Sequence, residues 1–155
     1  MNARFDAIAK ALDPDLALQG ELGQSILRLQ PSQIRPVFAG LKQHGFSLLL
    51  DITAVDWPFR EPRFDVIYHL YHLDLRDWLR VELQVGGEHP EVPSVAHIYA
   101  SAGWAERECY DLFGIGFPGH PDLKRIMLPD DWLGHPLRKD YPVSGVGPLP
   151  PLARE

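Results

Sequence analysis

Residues 114–155 constrain the fold of this 155-residue chain most, because their composition excludes regular secondary structure from its C-terminal quarter. The segment contains six glycines and eight prolines, and its apolar residues follow neither helical nor strand spacing. A disordered segment is poor in large apolar side chains, whereas this one carries Phe117, Leu123, Ile126, Met127, Leu128, Trp132, Leu133, Leu137 and Tyr141. We therefore predict an extended C-terminal arm over residues 114–155 that packs on a partner subunit.

Residues 1–113 show the mixed helical and strand periodicities of an α+β domain. Apolar residues at helical spacing predict helices near residues 5–12 and 34–41, and two more over 94–99 and 103–113. Alternating or continuous apolar runs predict five strands, over residues 16–18, 26–29, 47–56, 63–73 and 79–85. The run at 47–56 is almost wholly apolar, which predicts a central place in the sheet.

The composition excludes several classes of function. A net charge of −6 argues against nucleic acid, which calls for a basic surface, and against direct attraction to an anionic membrane. The single cysteine, Cys109, suits a reducing compartment and supplies too few thiolates for an iron–sulfur cluster. We recognise no signal peptide and no apolar run of membrane-spanning length, so we expect membrane association only through a partner.

Two patterns in the arm imitate binding sites. Residues 114–119 read Gly-Ile-Gly-Phe-Pro-Gly and match the dinucleotide-binding pattern G-x-G-x-x-G, but they follow a predicted helix instead of a strand. Pro118 also removes one backbone amide that such a loop needs, so a helix end followed by turns is the better interpretation. His120 and His135 lie near aspartates, which leaves a self-contained metal-dependent enzyme as a less favoured hypothesis; their Gly-His-Pro contexts are typical of turns.

The helix predicted over residues 103–113 carries a cysteine and a cluster of charges. Cys109 falls on its apolar face, so we predict a buried side chain and no nucleophile. Arg107 and Asp111 have the spacing of an ion pair along a helix. The charges are compatible with a solvated face or with a partner contact, and the same two interpretations apply to Arg138-Lys139-Asp140.

The stretch from Glu106 to Pro142 resembles a known family. Its matching segments are ERECYDLFGI at residues 106–115, FPGHPDLKRIML at 117–128, DW at 131–132 and GHPLRKDYP at 134–142, with looser likeness at 51–56 and 94–104. Together they resemble the thirty-kilodalton subunit family of respiratory complex I, the proton-translocating NADH:quinone oxidoreductase.

This resemblance implies a fold and a role. The implied fold is two-layered α+β: a mixed sheet of about five strands in the order α-β-β-α-β-β-β, helices on one face, and a domain of residues 1–113 followed by the arm. The implied role is a non-catalytic structural subunit, peripheral on the cytoplasmic side of the bacterial inner membrane. FMN, iron–sulfur clusters and quinone would belong to partner subunits, chiefly the quinone-site subunit, which the arm would brace during electron transfer from NADH. The alternative is an equivalent scaffold subunit in a membrane-bound hydrogenase, or in a quinone oxidoreductase that takes electrons from another donor.

We expect no catalytic, cofactor-binding or metal-binding residue in this chain, and we expect a partner contact in the matching stretch. The candidates for that contact are its charged, histidine and aromatic side chains: Glu106, Arg107, Glu108, Asp111, His120, Arg125, Trp132, His135, Arg138, Lys139, Asp140 and Tyr141.

Overall fold

The computed structural model of the chain describes residues 3–21 and 23–146. Three α-helices and five strands form there in an α+β arrangement whose order agrees with the one expected from the sequence. In chain order the elements are α1 (Ala3–Leu12), β1 (Leu18–Glu21), β2 (Gln24–Leu29), a 3-10 turn (Pro31–Gln33), α2 (Ile34–Gln43), β3 (Leu48–Asp56), β4 (Phe64–His72), β5 (Asp77–Val85) and α3 (Ala102–Phe113).

The five strands form one open mixed sheet in the order β1-β2-β5-β4-β3. β2 and β5 run parallel, and every other neighbouring pair is antiparallel. The predicted central place of residues 47–56 is therefore wrong, because β3 lies at an edge. α3 packs along this strand: the Ser101 hydroxyl donates to the Leu49 carbonyl at 2.8 Å, and the Cys109 thiol donates to the Ile52 carbonyl at 3.4 Å. Its apolar sequence reflects this covering helix, not strands on both sides.

The core lies between the sheet and the helices. The inward residues of β4 are buried in a single cluster with residues of α1, α2 and α3; they are Phe64, Val66, Tyr68 and Leu70. The ring of Phe38 from α2 meets that of Tyr68 edge-on at 5.0 Å between centroids. Each such large apolar side chain contributes roughly 1.5–3 kcal/mol on burial. Among the described residues, no helix combines the length and the apolarity needed to cross a membrane.

Two expectations about the region around α3 need correction. Residues 94–99 form one turn and not a helix, with the amides of Ile98 and Tyr99 both donating to the Val95 carbonyl. The core also continues past residue 113, because Ile115 and Phe117 are fully buried. The arm thus begins as part of the domain.

Candidate partner interface

α3 ends where a glycine reverses the chain. Gly114 adopts the left-handed conformation, with φ of 71°, and its amide donates to the Tyr110 carbonyl at 2.9 Å. This is the helix C-terminus predicted from the sequence. Gly116 then pairs with the preceding loop, since its amide donates to the Pro90 carbonyl and its carbonyl accepts from Val92. The glycines therefore do not open a helix, and the dinucleotide-binding interpretation has no structural support.

The carboxylate of Asp111 is the first anchor of the arm. It is fully buried, and its Oδ2 accepts the amides of Ile126, Met127 and Leu128 at 3.0, 2.8 and 2.9 Å. Its Oδ1 accepts Nη1 of Arg125 at 2.6 Å. Burial alone would raise the pKa of Asp111, but the three amides and the guanidinium outweigh it and hold that pKa below its ordinary value.

The two arginines beside this anchor bind arm backbone. Arg125 extends the anchor with its Nη2, which donates to the carbonyls of Trp132 and Gly134 at 3.0 and 3.1 Å. Arg107 donates to the carbonyls of Lys124 and Arg125 at 3.1 and 2.8 Å. The pairing of Arg107 with Asp111, suggested by their helical spacing, gives way to these contacts because the arm brings Arg125 to the carboxylate.

His135 fastens the next turn of the arm to the end of α3. Its Nδ1 lies 2.8 Å from the carbonyl oxygen of Asp111, so this nitrogen carries the proton and donates. Burial is the main cause that lowers the pKa of His135, and the nearby charges of Arg138 and Arg125 lower it further. The adjacent Leu137 amide donates to the Leu112 carbonyl at 3.0 Å.

The two histidines considered as metal ligands do not converge. His120 donates from Nε2 to the Gly103 carbonyl at 2.9 Å, while its Nδ1 accepts the Asp122 amide at 3.0 Å. Gly103 and Asp111 stand eight residues apart on α3, about 12 Å along the axis. Within the part of the chain that the structure describes, no group of three or more histidine, cysteine or acidic side chains is placed to hold a metal ion.

A second anchor joins the arm to the β3–β4 hairpin. The fully buried carboxylate of Asp56 accepts both Nε and Nη2 of Arg63, at 2.6 and 2.7 Å, and also the amide of Lys139 at 2.7 Å. Nη1 of the same arginine binds Asp140 at 2.9 Å. The Arg63 guanidinium is the largest cause that lowers the pKa of Asp56. Residues at the start of the hairpin and late in the arm therefore form one ionic cluster.

Three anchoring residues were missed by the sequence reasoning. Asp56 and Arg63 carry opposite charges at the two ends of the hairpin turn, and this flanking pattern is the signal that could have found them. Arg35 has no such signal: it lies on α2, yet its guanidinium donates to the carbonyls of Ser94 and Pro118 at 3.1 and 2.7 Å.

The structure separates the candidate contact residues by exposure. Glu106 and Asp111 are fully buried in this chain, which removes both side chains from the surface set. The carboxylate of Glu106 accepts from the Ser94 hydroxyl at 2.6 Å and the Val95 amide at 2.7 Å, and burial raises its pKa. Glu108, Lys139 and Asp140 are exposed, and the half-buried candidates are Arg107, His120, Arg125, Trp132, His135, Arg138 and Tyr141. Cys109 is buried as predicted, and desolvation raises the pKa of its thiol.

Large apolar side chains remain on the surface where the arm is anchored. We define the arm face as Trp104, Met127, Leu133 and Leu137, which are 66%, 63%, 56% and 46% exposed. The backbone beside them is fixed: Leu137 by its bond to α3, Met127 by Asp111, and Leu133 by the Tyr141 hydroxyl at 3.2 Å. Exposed large apolar side chains on a fixed backbone are typical of a protein–protein contact.

Comparison with known families and sequences agrees with this picture. Residues 27–146 match the family model described as the 30 Kd subunit of respiratory-chain NADH dehydrogenase. The chain is 42% identical over 137 residues to the C subunit of the NADH-quinone oxidoreductase of Moorella thermoacetica, covering 88% of this chain and 92% of the relative. It is 39% identical over 154 residues to the protein of the same name from Salinispora tropica, covering 92% of this chain but only 63% of that longer relative.

Solved structures share the fold. A trypsin-resistant fragment (1–134) of Nqo5 superposes with a TM-score of 0.68 at 34% identity, covering 77% of this chain and 97% of the fragment. A chain of the membrane-bound sulfane sulfur reductase, an archaeal respiratory membrane complex, superposes with a TM-score of 0.78 at 28% identity, covering 90% of this chain and 84% of its own length.

Proposed function

Because the chain belongs to the family of the 30 kDa subunit of the respiratory-chain NADH dehydrogenase, we propose that it fills that subunit's place in an NADH:quinone oxidoreductase. In this proposal it is a non-catalytic, peripheral subunit on the cytoplasmic side of the membrane, and FMN, iron–sulfur clusters and quinone are held by its partners. The observation that carries the proposal is the arm face, an apolar surface on a backbone that buried carboxylates already hold in place.

The anchoring of the arm gives this role a physical basis. A flexible arm would lose conformational entropy when it bound its partner, and that loss would weaken the contact. Here Asp111 and Asp56 hold the arm against its own domain before any partner arrives. The free energy gained by burying Leu133 and Leu137 is then available for association, and the docked arm braces the quinone-site subunit.

The likeness to the sulfane sulfur reductase chain supports a second candidate function. In that case the same scaffold serves a membrane complex fed by a donor other than NADH. Purification of the membrane complex through a tag on this chain separates the two candidates. NADH oxidation coupled to quinone reduction supports the first, whereas a complex that is active with another donor and inert with NADH supports the second.

A charge placed on the arm face tests the structural role. We expect the double variant Leu133→Asp, Leu137→Asp to be as stable as the wild type when isolated, because both side chains are exposed, and to be lost from the membrane complex on native gels. Leu73→Asp is the matched control, since Leu73 is 53% exposed in the turn after β4, at the opposite end of that strand from the contact between Arg63 and arm residue Asp140. Normal incorporation of the double variant would contradict the proposal.

A further inference from the structure

The turn between β3 and β4 presents a fully exposed aromatic side chain. Phe59 has a relative exposure of 102%, and its neighbour Trp57 is 48% exposed. A single exposed apolar residue is ordinary on a protein surface. This one is distinguished by the fixed geometry of the turn that carries it and by its connection to the arm.

One carboxylate on the neighbouring strand holds side chains of the turn in place. Asp65 of β4 accepts the indole Nε1 of Trp57 at 2.7 Å, the side-chain amide of Gln84 at 3.2 Å and the guanidinium of Arg60. The Arg60 guanidinium also lies over the Trp57 ring, 5.3 Å from its centroid. The two residues that flank Pro58 and Phe59 are therefore held to each other and to the sheet.

The backbone of the turn is closed by hydrogen bonds. The Trp57 amide donates to the Arg63 carbonyl at 2.9 Å, and the Arg60 amide donates to the Trp57 carbonyl at 3.0 Å. Nε of Arg60 donates to the Pro62 carbonyl at 3.0 Å. Phe59 is thus displayed on a preorganised turn, a geometry that lowers the entropic cost of inserting its ring into a pocket.

The base of the turn is also bonded to the arm. Arg63, at the end of the turn, binds Asp56 on one side and Asp140 of the arm on the other. The next residue of the arm, Tyr141, bonds through its hydroxyl to the carbonyl of Leu133, a member of the arm face. An ion pair, one peptide bond and a hydrogen bond therefore connect the base of the turn to the backbone of Leu133 in the arm face.

We propose that the turn of residues 57–63 is a second docking element, whose Phe59 inserts into an apolar pocket of the same partner protein that receives the arm face. This inference rests on the proposed function and adds a residue to it. A buried aromatic ring on a rigid support is the usual form of an interface hot spot. The partner chemistry that fits is an apolar pocket with acceptor groups at its rim, facing the Arg60 guanidinium.

Rebinding to membranes tests the proposal with the full chain. Purified variants would be titrated onto membranes from cells that lack the gene for this subunit, and their dissociation constants compared. We expect Phe59→Ala to bind about 30-fold more weakly than the wild type, as for an anchor residue at an interface hot spot. We expect Phe59→Leu to recover most of the affinity and the control Leu73→Ala to match the wild type. The Phe59 variants should melt at the wild-type temperature, because the side chain of Phe59 is fully exposed.

The outcomes distinguish this inference from the function on which it rests. Wild-type affinity of Phe59→Ala, together with lost binding of the arm-face double variant, overturns the second docking element and leaves the function intact. Wild-type affinity of both variants overturns the function as well. If Phe59→Ala instead abolishes a dimer of the isolated chain in sedimentation and leaves membrane binding unchanged, the occupant is a second copy and the proposal is wrong.

Discussion

At the residue scale, Asp111 shows how a charged helix residue can serve the chain's own arm. Its carboxylate is fully buried, yet it has four donors: three consecutive amides and the Arg125 guanidinium. A buried carboxylate so completely hydrogen-bonded stays ionised, because each donor replaces part of the water that burial removed. The arm segment that follows Arg125 takes its shape from this one side chain.

Replacing Asp111 should therefore destabilise the isolated protein strongly. Asp111→Asn keeps the volume but removes the charge, leaves Arg125 without its partner and directs an amide donor at backbone amides. We expect a loss of about 3–5 kcal/mol in the free energy of unfolding, measured by urea denaturation. Asp122→Asn is the control, because Asp122 pairs with Lys124 at the surface, where such pairs contribute about 0–1 kcal/mol. Equal effects of the two substitutions would contradict the assigned role of Asp111.

The anchors also mark the limit of prediction from sequence at this scale. The burial of Cys109 follows from its place on an apolar helix face, and the structure confirms it. The burial of Asp111 does not follow, because its donors come from residues 125–128, and no spacing rule connects a helix to a later segment without periodicity. Lys139 and Asp56 are separated by 83 positions and pose the same difficulty.

At the scale of elements, the junction between α3 and the arm depends on Gly114. The left-handed backbone at this position ends the helix, and the missing side chain leaves room for the arm. A methyl group there would lie 2.5 Å from Cδ2 of His135 and 3.0 Å from Nη2 of Arg138. The turn and the docking of the arm thus share one requirement for glycine.

Two glycine substitutions separate these requirements. Gly87→Ala places a side chain at a φ of 84° with nothing within 4 Å, so we expect only the backbone cost, roughly 1–2 kcal/mol. Gly114→Ala adds the collision with His135, and we expect a further loss of about 1–3 kcal/mol. Thermal or urea unfolding measures both. If Gly114→Ala costs no more than Gly87→Ala, His135 does not need the space that the structure gives it.

The order of elements was predictable, whereas their places in the sheet were not. Spacing of apolar residues indicates which segments are helices and strands, and it identified all five strands. The edge position of β3 could not be predicted, because an apolar run indicates only that other residues cover a strand. In this protein α3 covers β3. The helix predicted over residues 94–99 is wrong: these residues form one turn, in which the Val95 amide donates to Glu106, a partner distant in sequence.

At the scale of the whole molecule, the ionisable groups that hold the arm give its stability a defined pH dependence. The pKa of His135 is lowered in the folded protein, chiefly by burial, so the unfolded chain takes up its proton more readily. His135 therefore contributes fully to the stability of the fold above about pH 6.5, the pKa of histidine in the unfolded chain. This contribution falls as the pH drops below that value. Asp56 and Asp111 also have lowered pKa values in the folded protein. Their contributions to stability are complete above about pH 4, the pKa of aspartate in the unfolded chain, and are lost as the pH falls through their pKa values in the folded protein.

We therefore expect the free energy of unfolding to decline as the pH falls below about 6.5 and to decline again below about pH 4. His135→Asn keeps a donor near the position of Nδ1 and cannot take up a proton, so it should flatten the first decline only. Urea titrations at a series of pH values give both profiles, and their difference isolates His135 from Glu106, whose raised pKa acts in the opposite direction. A first decline of equal size in the variant would show that another group causes it.

The covering of β3 by α3 has a consequence for the time before assembly. An edge strand with free carbonyls is a template on which a second chain can add a strand, and this is a common route to aggregation. Here the carbonyls of Leu49 and Ile52 are occupied by Ser101 and Cys109. Before the protein joins its neighbours, a second copy that added a strand at these two positions would have to displace both bonds from α3.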